Sequence, residues 1–251
     1  MKKVILFVFI LIVCGSLSAQ DTTKTKTKKF FVGVNFSPDV CYRTLHGSAN
    51  YINPLYTGNE LVHYRDSAET PKFGFTAGIN VCYNITKHIS IELGLQFSNK
   101  GYEDKERVFS YGPPPRQGST YIPYNLPTQG RFLYSFNYID VPLKANFAFG
   151  KRKTQFITSM GLTTNILISS SNILKGKTAE GKPYTSSSNS TGNYDRLNLS
   201  PTISVGIQHN INPRAFFRVE PIFRFGVINT YNNGAIAQYL WNTGINCSFY
   251  F

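Results

Sequence analysis

Six charged residues sit where an alternating pattern turns them all to one side. Glu92 lies in Ser90-Ile91-Glu92-Leu93, Asp140 and Lys144 flank Val141 and Leu143, and Arg218, Glu220 and Arg224 interleave with Phe217, Val219, Phe223 and Phe225. A two-residue period puts these charges on one face of a strand and the apolar residues on the other. Three acids and three bases on one face imply ion pairing, because an unpaired charge held away from water is costly. The chemistry expected is a structural salt-bridge plug, with Asp140 and Lys144 as a pair beside Glu92 and Glu220 placed between Arg218 and Arg224. A continuous water column would turn the same residues into a narrow ion pathway or a gate. Hydrolysis is not expected. A Ser–His–acid arrangement needs three neighbouring side chains, yet His209 stands between Ile207 and Ile211, His88 in a turn, and His46 and His63 in a polar stretch. No Gly-rich phosphate loop or metal-ligand spacing occurs, so neither an enzyme nor a cofactor is expected. Cys41, Cys82 and Cys247 are an odd, widely spaced set and read as packing residues.

Eight alternating stretches must carry these residues: Phe30–Tyr42, Phe73–Tyr83, Ile89–Ser98, Ile139–Phe147, Phe156–Ser169, Leu199–Gln208, Phe217–Val227 and Tyr239–Phe251. Long polar stretches over 43–71, 102–131 and 169–197 alternate with short turns over 84–88, 150–153 and 210–213. That asymmetry predicts an all-β fold, an eight-stranded antiparallel up-and-down transmembrane β-barrel with long extracellular loops and short periplasmic turns. The alternative is a soluble lipocalin-like barrel, with greasy residues inside and polar ones outside. Pro38 suggests a bulge or a strand leaving the membrane, and Pro142 and Pro221 are candidates for bulges. Phe132, Tyr134 and Phe136 fall on the opposite parity from Ile139 and Val141, which predicts a bulge or a segment above the membrane.

Lys2 and Lys3, the apolar run from Val4 to Val13 and the small residues up to Ala19 predict a cleaved signal peptide over 1–19. A basic periplasmic leader follows over 20–29, and the barrel domain over 30–251. The net charge is +13. Much of the excess lies at Lys24, Lys26, Lys28 and Lys29, Lys87, Lys151, Arg152 and Lys153, and Arg214, in the leader or in short turns. This predicts a basic periplasmic rim, with anionic lipid headgroups attracted by about 1 kcal/mol per residue near the surface. Scattered over separate turns without a recognition module, these residues do not predict nucleic-acid binding.

The run Tyr138-Ile139-Asp140-Val141-Pro142-Leu143, the strand around Gly161, Glu220-Pro221 and the aromatic end at Phe251 resemble the PorT-like, porin-family small outer-membrane β-barrel proteins of Bacteroidota. The resemblance covers nearly the whole exported chain and implies an outer-membrane location. It implies a porin-like barrel and, for a subset of the family, a part in type IX protein secretion. The last strand is similar to the insertion signal of bacterial outer-membrane barrels, which would make Trp241, Phe249 and Phe251 the residues offered to the barrel-assembly machinery. The function expected is structural or surface-interacting, with outer-membrane lipids around the wall and a protein partner at the extracellular loops or in secretion machinery. Tyr111, Tyr121 and Tyr124 beside Pro113, Pro114 and Pro115 would form a contact platform on the second loop. The alternatives are a PorT-like secretion component and a narrow porin-like channel.

Overall fold

Alternation along the chain resolves into strands wherever polar and apolar side chains trade places. The structure, a computed structural model, describes residues 29–48, 57–109, 126–150, 152–231 and 234–251. The expected signal peptide, Lys24, Lys26, Lys28, Lys151 and the tyrosines and prolines of the second-loop platform lie outside the described residues. The strands are β1 (Phe30–Gly47), β2 (Glu69–Asn84), β3 (Ile89–Asp104), β4 (Arg107–Val108), β5 (Pro127–Phe149), β6 (Thr154–Thr178), β7 (Pro183–Asn189), β8 (Leu197–Asn212), β9 (Ala215–Phe225) and β10 (Ile236–Tyr250). An α-helix, α1, spans Gly58–Ala68.

Eight of these strands close a ring in the order β5-β3-β2-β1-β10-β9-β8-β6, with β6 returning to β5. Every pairing is antiparallel, and the first and last strands meet through pairs such as Gly33↔Tyr250 and Tyr42↔Trp241. The two other strands are additions: β4 pairs with the end of β5, and β7 with the end of β6. The expected eight-stranded up-and-down barrel is therefore present, with two short strands added at the loop end.

Burial settles which face is which. Val34, Phe36, Leu93, Leu95, Ile203 and Val205 are exposed, whereas Asn35, Ser37, Asp39, Gln96, Ser98 and Ser204 are buried. The wall is apolar outside and polar inside, the reverse of a soluble ligand-carrying barrel. On β2 the outward apolar run extends from Phe73 to Tyr83. About ten rises of ~3.4 Å at a tilt of ~40° span roughly 26 Å, a hydrocarbon thickness for such barrels. Aromatic side chains mark both edges. Phe30, Tyr83, Phe149, Phe156 and Phe249 lie toward the short turns, and Phe73, Phe75, Phe97, Phe223 and Trp241 toward the long connections.

Several expectations need correction. The first polar stretch is not all loop, because β1 runs on to Gly47, α1 follows and β2 begins at Glu69. Thr57 and Glu60 start the helix as a reciprocal capping box. The stretch over 169–197 is largely a β-hairpin of β6 and β7, turning at Gly181 with φ +78°. Pro38, Pro142 and Pro221 sit at no register shift. On one side of each proline the ladder skips the pairs around it and resumes in the same register, as from Leu93↔Leu143 to Gln96↔Asp140. A proline lacks the N–H for one bond, and the ring holds each strand from its other side. β5 likewise keeps one register against β3 through Tyr134 and Phe136, to Leu133. The bulge lies on β6 instead, between the pairs Asn137↔Ser169 and Tyr138↔Leu167. Phe132, Tyr134 and Phe136 share the parity of Asp140; Tyr134 and Phe136 join the buried cluster at the end of the lumen, and Phe132 lies half-buried against Phe109 and Arg107.

Candidate functional site

The six charges expected to share a face all point into the ring and are at most 4% exposed. Glu92 on β3 is the hub. One carboxylate oxygen lies 2.8 Å from Lys144 Nζ on the adjacent β5, and the other 2.8 Å from Arg218 Nη1 across the lumen. The Arg218 guanidinium lies beside the rings of Phe216 and Tyr250, 5.5 and 5.3 Å from their centroids. These two rings stack with centroids 4.6 Å apart. Asp140 is held 3.1 Å from Lys100 Nζ and accepts a 2.7 Å hydrogen bond from Asn165 Nδ2. Lys100 also sits over the Tyr138 ring. Asp39 accepts from Ser37, Thr76 and Asn242, and lies 3.5 Å from Arg224 Nη1.

Two pairings differ from expectation. Lys144 turns to Glu92 rather than to Asp140. Glu220 accepts hydroxyl hydrogen bonds from Ser159 at 3.0 Å and Ser204 at 3.1 Å, while Arg218 and Arg224 reach Glu92 and Asp39. Register explains the first change: Glu92 stands directly opposite Lys144, and Asp140 opposite Gln96. Gly161 stands opposite Lys144 on the other side, and a Cβ there would come within 2.9 Å of the Lys144 side chain. Asp39 and Lys100 complete the set and were missed. Both keep the inward parity of their strands, but Pro38 interrupts the alternation just before Asp39, and the alternating stretch of β3 ends at Ser98, before Lys100. The lumen then holds Asp39, Glu92, Asp140 and Glu220 against Lys100, Lys144, Arg218 and Arg224, a balanced buried set.

Above this layer the loop end is covered. Glu69 takes Arg43 Nε at 2.8 Å and Arg65 Nε at 2.6 Å, and Arg43 also pairs with Asp66. Arg65 Nη2 donates to Tyr102 Oη at 2.9 Å and to Gln238 Oε1 at 3.1 Å. Tyr102, Phe136, Tyr138, Leu167 and Leu240 pack beneath as one buried cluster. Burial pushes the Tyr194 phenol beside it up to about 12. A cavity between Lys100, Tyr138, Asn165 and Leu240 measures about 10 Å³, no more than one water needs.

The opposite end is open among the described residues. A cavity of about 750 Å³ lies among the short turns, lined by Lys29, Lys87, Arg152 and Lys153, by Gln155, Gln208 and Asn210, and by Phe31 and Phe216. Four of the expected rim residues thus converge on one mouth. Arg214 is exposed on the β8–β9 turn and does not line it. Of the expected insertion residues, Phe249 and Phe251 lie in outward aromatic contact near this end, and Trp241 packs near Phe223 and Tyr42 at the loop-side edge.

One hydroxyl–imidazole contact went unanticipated: Thr154 Oγ1 lies 2.8 Å from His209 Nδ1. It faces outward beside Phe217 and has no acid partner among the described residues. Those residues also contain no cluster of His, Cys, Asp and Glu placed to hold a metal ion.

A family profile described as "Outer membrane protein beta-barrel domain" matches residues 18–232. No curated protein sequence matches the chain. Among solved structures, the chain is similar to the outer membrane protein OprG from Pseudomonas aeruginosa, with 9% identity, a TM-score of 0.46, and coverage of 90% of this chain and 97% of that one. It is also similar to Ail, the attachment invasion locus protein of Yersinia pestis, with 9% identity, a TM-score of 0.37, and coverage of 89% and 100%. The outer membrane protease OmpT from Escherichia coli is similar at 9% identity and a TM-score of 0.41, with coverage of 92% and 99%.

Proposed function

The chain belongs to the outer membrane protein beta-barrel domain family, and from that premise we propose that it is a small outer-membrane barrel with a structural or surface-interaction role, acting neither as an enzyme nor as a conducting pore. The observation that carries this reading is the filled lumen. Glu92 is fully buried between Lys144 and Arg218, and the Arg65–Glu69–Tyr102 layer covers the loop end. An eight-stranded ring leaves an interior that side chains can fill, and here paired charges fill it. The loop end, with α1 and the β6–β7 hairpin, is the surface offered to a partner, and the short turns face the periplasm. Residues 1–19 act as the export signal, Trp241, Phe249 and Phe251 engage the assembly machinery, and lipids of the outer membrane surround the apolar wall.

Fractionation and conductance test this together. The expected result is recovery with the outer membrane, heat-modifiable migration in gels and no unitary conductance in planar bilayers. Steady single-channel currents from the folded protein would overturn the non-conducting role and favour the narrow porin-like channel.

A finer reading makes the chain a PorT-like component of type IX secretion, supported by its resemblance over Tyr138–Leu143 and Glu220-Pro221. Copurification with large secretion partners would favour it. Unimpaired secretion in a strain lacking the gene would exclude an essential part in that process.

A further inference from the structure

The open end has the features of a ligand site. Among the described residues, each charged side chain lining the 750 Å³ cavity is a cation: Lys29, Lys87, Arg152 and Lys153. The volume falls within the range of about 300–1,000 Å³ occupied by small-molecule sites. A concave mouth carrying one sign of charge focuses its field and concentrates counter-ions.

The wall beneath the rim is ordered by the buried charge layer. Arg218 Nη2 donates to Gln208 Oε1 at 3.0 Å, and Gln208 Nε2 donates to Asn210 Oδ1 at 3.0 Å. Asn210 Nδ2 then donates to Gln155 Oε1 at 3.3 Å, and Gln155 Nε2 to the Gly150 carbonyl at 3.0 Å. A guanidinium only donates, so Arg218 fixes the direction of the whole chain. Every amide accepts from the side of Arg218 and donates away from it. The chain ends on the turn that carries Arg152 and Lys153, tying that part of the rim to the barrel interior. Phe31 and Phe216 supply an apolar floor, in edge contact at 5.1 Å.

We propose that this cup is a binding site for phosphate-bearing ligands that enter along the barrel axis from the short-turn side. Rim cations meet the phosphate oxygens through charge-assisted hydrogen bonds, and the aromatic floor takes an apolar part of the ligand. Such a phosphate arrives either on a soluble molecule or on a lipid headgroup. The position of the cup inside the ring favours the soluble source, because Gln208 and the floor lie behind the rim as seen from the bilayer.

The test uses the full-length protein folded in neutral detergent free of anionic lipid, titrated with inorganic pyrophosphate by calorimetry at low and moderate salt. The comparison variants are the triple change Lys87→Gln, Arg152→Gln, Lys153→Gln, the wall variant Gln208→Leu, and a loop-end control, Lys105→Gln with Lys182→Gln. Heat-modifiable migration verifies folding of each; the triple variant changes only turn residues, so it keeps the test valid if Gln208→Leu does not fold. The expected result is saturable binding, weakened at least tenfold by the triple variant and severalfold by Gln208→Leu, and unchanged in the loop-end control. Equal weakening by the rim and loop-end variants would mean diffuse charge attraction and overturn the cup, as would absence of saturable binding. A parallel arm with phosphatidylglycerol nanodiscs separates the sources. Rim-dependent binding there, with none to pyrophosphate, would overturn the soluble ligand and assign the rim to headgroups alone.

Discussion

The two ends of the barrel handle charge in opposite ways. At the loop end Arg43 and Arg65 converge on Glu69, Arg107 pairs with Asp104, and Arg131 with Glu103, over a floor of packed aromatics. At the turn end Lys29, Lys87, Arg152 and Lys153 surround a cavity with no carboxylate among its described lining residues. Connection length is the physical cause. The long connections supply a helix and strand extensions whose side chains fold over the ring, and charges removed from water there must be paired. The short turns cannot cover the mouth, so their cations stay solvated, where pairing matters little. Closure makes one end part of the stability of the fold and leaves the other free to meet ligands.

The difference is tested hardest in the layer between the two ends. Glu92→Leu leaves Lys144 and Arg218 buried without their shared carboxylate. Removing one member of a buried ionic set costs about 3–5 kcal/mol, which lowers the melting temperature in detergent by roughly 10 °C. Glu220→Leu costs less, because hydroxyls rather than cations hold that carboxylate. Thermal melts followed by circular dichroism check both. Equal effects would show that Glu92 is not the hub of the lumen.

Breaking the loop-end cover is the next largest change. Arg65→Ala removes hydrogen bonds to Glu69, Tyr102 and Gln238, while Arg43 remains on Glu69. Loss of these charge-assisted bonds costs about 2 kcal/mol. Planar-bilayer recordings of this variant should stay silent, because Glu92 and its partners still block the lumen below. Unitary currents from Arg65→Ala alone would mean that the loop-end cover is the only barrier.

Much of this division was legible in the sequence, though unevenly. The eight ring strands and six of the inward charges followed from strict alternation, as in Ile89–Phe97 and Phe217–Phe225, where each apolar residue announces its face. Pairing partners did not follow. Asp140 and Lys144 are four residues apart on one strand, yet cross-strand register decides contacts and sends Lys144 to Glu92. The β6–β7 hairpin was hidden because Ser171, Asn172, Lys175 and Ser186–Ser188 are polar on both faces, which removes the period-two signal. The turn-end cup was visible only as scattered lysines and arginines, since nothing in their spacing places 29, 87 and 152 around one mouth. The helix did carry a local signature, Thr57-Gly58-Asn59-Glu60. The polar composition of the surrounding stretch over 43–71 masks it.

That signature supplies the smallest effect, confined to the loop end and reversible with pH. Glu60 Oε2 accepts hydrogen bonds from the Thr57 backbone N–H at 2.7 Å and the Thr57 hydroxyl at 3.1 Å, which hold its carboxyl below the ordinary value. The folded helix therefore favours the ionised form. Its contribution is fully present above the unfolded carboxylate value of about 4.3 and is lost as the pH falls through the lowered value in the fold. Amide exchange in Gly58–Ala68 should quicken across that acidic window in the native chain, and Glu60→Gln should remove the pH dependence. Thr57→Ala should weaken the helix at all pH values, by about 1 kcal/mol. Cation-lined turns carry no such carboxylate, so exchange in the strands beside Lys87 and Lys153 should stay flat over the same window. A matching acid-dependent rise there would show that the two ends are coupled through the lumen and do not respond separately.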